Sequence, residues 1–335
     1  MSSSFIDPLP RRDFLRRCSE VGLGLCAVPL STGNEQSMAR DGVRSEAGQS
    51  HGSQSGAASG AVMIQRTIAS SGEKVPAVGM GTWQTFDPPD LSPGSLQPLE
   101  DVLGIFYEAG GRVVDSSPMY GSSERVTGLL SKRLGVNDEL FIATKVWTSG
   151  ESQGARQMER SLSELRRERL ELMQVHNLVD WRTQLATLRR WKEAGRVKYI
   201  GVTHYQRSAF DELERIMKQE RVDFVQLPYS IAMRAAEERL LPVAAETGTA
   251  VLVNRPFEGG SLFSRVRNRP LPEAARPFAE SWGQAFLKYV LAHPAVTCVI
   301  PATSNPRHMR DNVGAGLGRL PSQEERARLV REVAN

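Results

Sequence analysis

From residue 62 onward, short apolar runs rich in Val, Ile and Leu alternate with longer stretches of helical periodicity, and the alternation recurs eight times. The apolar runs lie at 77–83, 112–117, 140–147, 170–176, 197–204, 222–230, 250–257 and 296–303. Helical spacing of apolar residues fills the intervals at about 97–109, 122–134, 155–168, 181–194, 207–219, 236–247 and 281–292, with more helical turns from Pro306. A helix between successive strands returns the chain to the edge where it began, so the strands pair in parallel and need cover on both faces. Eight such units in about 250 residues predict an α/β chain closed into a (β/α)8 barrel rather than an open doubly wound sheet. An open sheet would gain from a G-x-G-x-x-G after an early strand, but Gly79-Met-Gly81 has Gln84 where the third glycine belongs. Residues 62–68 and 74–75, around Ser70-Ser71-Gly72-Glu73, read as a short hairpin ahead of the first strand.

The first 60 residues have a different composition. Residues 34–60 are mostly Gly, Ser, Ala and Gln, with too little apolar surface to offset the entropy of ordering them. Before them, Arg11, Arg12, Arg16 and Arg17 lead into a mild apolar run from Val21 to Leu30. The order Arg11-Arg12-Asp13-Phe14-Leu15, then the apolar run, then the small-residue site Ser37-Met38-Ala39, resembles a twin-arginine export signal. The chain thus divides into a leader at 1–39, a linker at 40–60 and the barrel at 61–335. The leader implies an encounter with export machinery and a periplasmic location, with a cytoplasmic basic tail as the alternative. No run of 18 apolar residues exists, which argues against a permanent membrane span.

Residues 1–60 hold six Lys/Arg and six Asp/Glu, so the whole net charge of +4 falls in the barrel. That surplus is too thin for a nucleic-acid footprint and suits an anionic small ligand. Three cysteines make no disulfide scaffold, and no Cys/His cluster has metal-ligand spacing, so no metal site is expected.

In a (β/α)8 barrel the chemistry sits at the C-terminal ends of the strands. There the sequence places Asp115 after RVV, Lys145 after FIAT and His176 after LELMQV, near the ends of three successive strands, with Tyr120 five residues after Asp115. One charged residue at a strand end is often merely solvated; three in succession converge on one side of the mouth. At these residues the sequence resembles the aldo-keto reductase family: VDSSPMYGSSE its Asp/Tyr motif, TKVW its lysine motif and LELMQVHN its histidine strand. GVTHY, VDFVQLPYS and VIPATSNPRHMRDN resemble its later strands and its C-terminal cofactor segment, so the likeness covers about 62–318.

The resemblance implies hydride reduction of aldehydes or ketones with NADP(H), or NAD(H), and makes Tyr120 the acid. A phenol is a weak acid near pKa 10. An ammonium about 4 Å away supplies about 4 kcal/mol at an effective dielectric of 20, enough for Lys145 alone to lower it usefully. Asp115 would hold Lys145, and His176 would orient the carbonyl. Trp83 and Trp147 are expected on the wall of the substrate pocket beside Tyr120 and His176. For the cofactor the resemblance implicates Thr82, Trp83, Asp115, Thr203, His204, Gln226, Asn254, Arg255, Phe257, Gly260, Leu262, Thr303, His308, Asp311 and Asn312. The sequence departs from the family where a stacking tyrosine often follows the seventh strand, since Asn254-Arg255-Pro256-Phe257 stands there. It departs again at Ala302 and His308, where Lys and Arg commonly grip a 2′-phosphate; Thr303, Arg307 and Arg310 remain nearby. The residues 258–281 read as a long loop able to close over a ligand. A barrel that binds the cofactor and turns over slowly, as a regulatory or sensing module, is the reading from another class.

Overall fold

The computed structural model of the chain describes residues 62–334, and the leader and linker expected at 1–60 lie outside them. Strands β1 (Gln65–Thr67) and β2 (Lys74–Pro76) pair antiparallel as the expected hairpin. Eight parallel strands follow: β3 (Met80–Gly81), β4 (Val113–Asp115), β5 (Phe141–Val146), β6 (Leu170–His176), β7 (Val197–Thr203), β8 (Phe224–Pro228), β9 (Ala250–Asn254) and β10 (Cys298–Val299). Each is hydrogen-bonded to the next in chain order. Between them run α1 (Pro93–Glu108), α2 (Ser123–Arg133), α3 (Glu151–Glu164), α4 (Trp181–Glu193), α5 (Phe210–Glu220) and α6 (Leu240–Thr247). Then come α7 (Ser261–Arg265), α8 (Trp282–Leu291), α9 (Pro306–Gly314) and α10 (Gln323–Ala334).

The first and last strands are shorter than their apolar runs suggest. The seam between them is stitched by two parallel bridges, Val78 to Val299 and Gly81 to Ala302. Backbone bonds from Gly79 N to Val299 O (2.8 Å) and from Gly81 N to Pro301 O (3.0 Å) complete it. Pro301 has no N–H to continue a ladder. A Cβ on Gly81 would lie 2.9 Å from the Ile300 carbonyl oxygen, so only glycine lets the strands approach this closely.

Strand alternation sorts the side chains into two cores. Val114, Ile142, Met173, Val175, Val202, Val225, Val251 and Val253 face the helices. The opposite parity fills the barrel with Val113, Phe141, Ala143, Leu172, Tyr199, Phe224, Leu252 and Cys298. Phe141 stacks on Tyr199 at 6.0 Å, and Phe224 meets Tyr199 edge-on at 5.5 Å. The hairpin closes the bottom, burying Ile68 and Val75 in that inner core. The Tyr199 hydroxyl donates to Glu73 Oε2 of the hairpin turn (2.5 Å).

Helix starts follow from local chemistry. Ser92 caps α1 ahead of Pro93, Ser281 caps α8, and Asn305 caps α9 by accepting from Arg307 N (2.9 Å) ahead of Pro306. The stretch 258–281 is not an open loop. Leu262 and Val266 sit one helical turn apart, and with Ala275 and Phe278 they are buried, which folds the stretch onto the barrel through α7 and two single turns. Among the described residues, no helix is long and apolar enough to cross a membrane.

Candidate active site

The parity that packs the barrel also builds the site. Continuing the inward positions toward the strand ends gives Asp115 above Val113, Lys145 above Ala143, Gln174 and His176 above Leu172, and Thr203 above Tyr199 and Gly201. Gln226 above Phe224 and Asn254 above Leu252 complete the ring. The mouth is therefore a polar layer resting on an apolar plug.

Asp115 and Lys145 are buried and paired, with Lys145 Nζ 2.7 Å from Asp115 Oδ2 and 2.6 Å from the Ser116 carbonyl oxygen. The other carboxylate oxygen, Oδ1, accepts from Gln226 Nε2 (2.8 Å) and Gln174 Nε2 (3.3 Å). The Lys145 ammonium lies 4.9 Å from the centre of the Tyr120 ring. His176 meets that ring edge-on at 5.8 Å and the Trp147 ring at 6.5 Å, and its Nδ1 is 3.0 Å from Ser117 Oγ. All four sequence-predicted catalytic residues thus meet in one place, Asp115, Lys145 and His176 buried and Tyr120 half-buried, with Trp147 beside them and Trp83 exposed on the rim.

Electrostatics corrects one expectation. Burial pushes the Tyr120 phenol above its ordinary value, and Lys145 does not overcome this because Asp115 opposes it. For Lys145, burial favours the neutral amine, but the charge and hydrogen bond of Asp115 together with the same two contributions from Tyr120 outweigh it, and the ammonium is held above its usual value. His176 is held well below the usual histidine range, by burial first and then by Lys145 and His204. The resting site therefore contains a neutral phenol, an ion pair and a neutral imidazole.

The expected cofactor residues divide by what their side chains already do. Gln226 is saturated: its oxygen accepts from Thr203 Oγ1 (3.0 Å) and Asn254 Nδ2 (3.3 Å), and its nitrogen serves Asp115 and Gln174. Thr82 Oγ1 is 3.0 Å from both the Asp115 carbonyl and Ser116 Oγ, tying two strand tops together. His204 lies flat on Tyr205 at 5.5 Å and accepts from Gln206 N, so part of it is packing. Asn254 Oδ1 is buried with no hydrogen-bond partner, an acceptor left open at the mouth. A group bearing N–H or O–H donors, such as a carboxamide, fits that need.

Arg255, in the left-handed region at φ 52°, and Phe257, packed on Phe263 at 5.0 Å, lead into the exposed Gly260, whose added Cβ would meet nothing within 4 Å. Leu262 is fully buried and anchors this stretch from below. Thr303 Oγ1 accepts from Asn305 N (3.0 Å), and His308 is exposed on the first turns of α9. Asn312 is buried. The Asp311 carboxylate accepts from Ser281 Oγ (2.7 Å) and Gln284 Nε2 (3.1 Å), which fastens α9 to α8.

Sequence reasoning passed over Ser117 and Gln174. Both share the inward parity of a neighbour that it found, Asp115 and His176 respectively. It also passed over the strained run after His176, where Asn177, Leu178 and Asp180 all have positive φ (51°, 57° and 45°).

Comparison with known proteins points to one family. The aldo/keto reductase family model matches residues 77–331. Methylglyoxal reductase YeaE of Escherichia coli (strain K12) is 26% identical over 271 residues, covering 78% of this chain and 93% of that protein. The NADH-specific methylglyoxal reductase of the same organism is 23% identical over 314 residues, covering 77% and 94%. Among solved structures, the aldo-keto reductase of Klebsiella pneumoniae in complex with NADPH is 24% identical, with TM-score 0.66, covering 81% of this chain and 95% of that one. With the family model spanning the barrel and its mouth built as described, the chain belongs to the aldo/keto reductase family and is an oxidoreductase.

Proposed function

We propose that the chain reduces small aldehydes and 2-oxoaldehydes to alcohols, with Tyr120 as the proton donor and NADPH preferred over NADH. The carrying observation is the buried Lys145–Asp115 pair at 2.7 Å, facing Tyr120 next to a neutral His176. When bound, the nicotinamide cofactor supplies the hydride. The protein must then stabilise an alkoxide as it forms and protonate it. An alkoxide is a far stronger base than a phenolate, so transfer from Tyr120 runs downhill even from a phenol whose pKa is raised. Lys145 stabilises the phenolate left behind, and Asp115 keeps Lys145 charged and in place. Asn254, Thr203 and the 255–262 stretch would hold the cofactor. The Tyr120 and Trp147 rings both meet His176 edge-on, an aromatic surround that suits a small planar carbonyl, in keeping with relatives named methylglyoxal reductases.

Support for NADPH comes from Arg307 and Arg310, both exposed near the start of α9, where the helix dipole also favours an anion. The test is carbonyl-dependent oxidation of NADPH and of NADH by the full chain against aldehydes, ketones and 2-oxoaldehydes. Turnover well above background with the aldehydes, faster with NADPH at equal concentration, is the expected result. Tight cofactor binding without turnover would replace this reading with a sensing role.

The leader supports export by a twin-arginine route to a bacterial periplasm. Such a route carries folded proteins, so the nucleotide would travel already bound. Replacing Arg11 and Arg12 by Lys is expected to trap the protein, uncleaved, in the cytoplasm; unchanged fractionation would contradict export.

A further inference from the structure

We propose that Ser117 is a positioning residue that fixes His176 in one tautomer, with the proton on Nε2, so that the imidazole meets the substrate carbonyl as a neutral donor. Hydrogen-bond accounting carries the assignment. Ser117 is fully buried, and its Oγ has two neighbours: His176 Nδ1 at 3.0 Å and the Met119 N–H, which donates to it at 3.4 Å. Were Nδ1 protonated, Oγ would accept from both. The serine's own hydroxyl proton would then be a buried donor without an acceptor, at a cost of about 1–3 kcal/mol. With Nδ1 bare, Ser117 donates to it and accepts from Met119, and every group is satisfied. The ring's proton then sits on Nε2, on its opposite edge.

The charges around the ring act in the same sense. His176 is faced by Lys145, the Asp115 paired with it, Tyr120 and His204, and both burial and the Lys145 charge disfavour the imidazolium. A neutral ring has two tautomers of similar energy, and nothing else among the described contacts of the ring nitrogens selects between them. Ser117 also binds the acid, because its carbonyl oxygen accepts from Tyr120 N (3.0 Å). The tripeptide Asp115-Ser116-Ser117 therefore orients all three partners: Lys145 through the Asp115 carboxylate and the Ser116 carbonyl, Tyr120 through the Ser117 carbonyl, and His176 through the Ser117 hydroxyl.

This proposal rests on His176 facing the carbonyl, and its test separates the two claims. Two-bond proton–nitrogen correlation on the full chain labelled with ¹⁵N-histidine reads the tautomer directly, with His176 identified by the signals missing from His176→Gln. The expected spectrum shows Nε2 protonated and Nδ1 bare. In Ser117→Ala the preference disappears and kcat/KM falls about tenfold, the worth of one net hydrogen bond, while cofactor Kd stays unchanged. A protonated Nδ1 or a tautomer mixture in the native protein overturns the proposal, as does a Ser117→Ala protein with unchanged tautomer and rate. Absence of carbonyl turnover in the native protein would instead sink the proposed function and leave the tautomer result standing.

Discussion

Glu124, on the first turn of α2, is buried and receives hydroxyl bonds from Thr144 (2.5 Å) and Ser161 (3.1 Å). Burial lifts its pKa to about 7, against the pull of those hydroxyls and of Lys145 and with a push from Glu164. In the unfolded chain the same carboxyl ionises near 4.5. Between those values the unfolded state has lost a proton that the folded state keeps, so stability falls as pH rises through the window and levels off above about 7. The full effect is on the order of 3 kcal/mol. Glu124→Gln is expected to flatten this dependence, measured as urea-unfolding stability at pH 5 and pH 8; an unchanged slope would contradict it. Such a residue is invisible in sequence, because its meaning lies in Thr144 and Ser161 on two other elements. Asp115, Lys145 and His176 were legible because each directly follows an apolar stretch near a strand's end, with the inward parity. Ser117 has that parity too, but serine is common in loops and only its distance to His176 marks it out.

At the scale of elements, the loop that carries Tyr120 is held from the neighbouring loop. Asp87 Oδ1 accepts from Ser122 N (2.7 Å) and Ser122 Oγ (2.8 Å), placing a carboxylate at the start of α2. Gly121, between Tyr120 and Ser122, has φ +63°, and a Cβ there would lie 2.0 Å from Asp87 Oδ2. Gly121→Ala must therefore strain the backbone and push Asp87 away, costing about 1–3 kcal/mol. Lower kcat/KM with a modest loss in urea midpoint is expected; native values for both would show that the clamp is dispensable. Strand and helix order was readable from periodicity, yet the ends were not. The run at 77–83 contributes only Met80–Gly81 to the ladder, because the seam is made by single bridges around glycines and Pro301. The 258–281 stretch misled for a different reason: its prolines signalled a loop, while Leu262 and Val266 packed it down.

For the whole molecule, division of labour follows from the barrel's axis. The hairpin and the aromatic plug of Phe141, Tyr199 and Phe224 stabilise one end, and the polar layer at the other is free to carry chemistry. The central claim is that this layer delivers a proton from Tyr120. Tyr120→Phe removes only the hydroxyl and leaves the Lys145–Asp115 pair and the ring contact with His176 in place. The most direct measurement is carbonyl-dependent NADPH oxidation by the full-length Tyr120→Phe protein beside the native one, with NADPH affinity taken from fluorescence quenching of both. The expected result is a rate reduced about a hundredfold or more with cofactor affinity unchanged. A variant that keeps more than about a tenth of the native rate would contradict the assignment of Tyr120 as the acid.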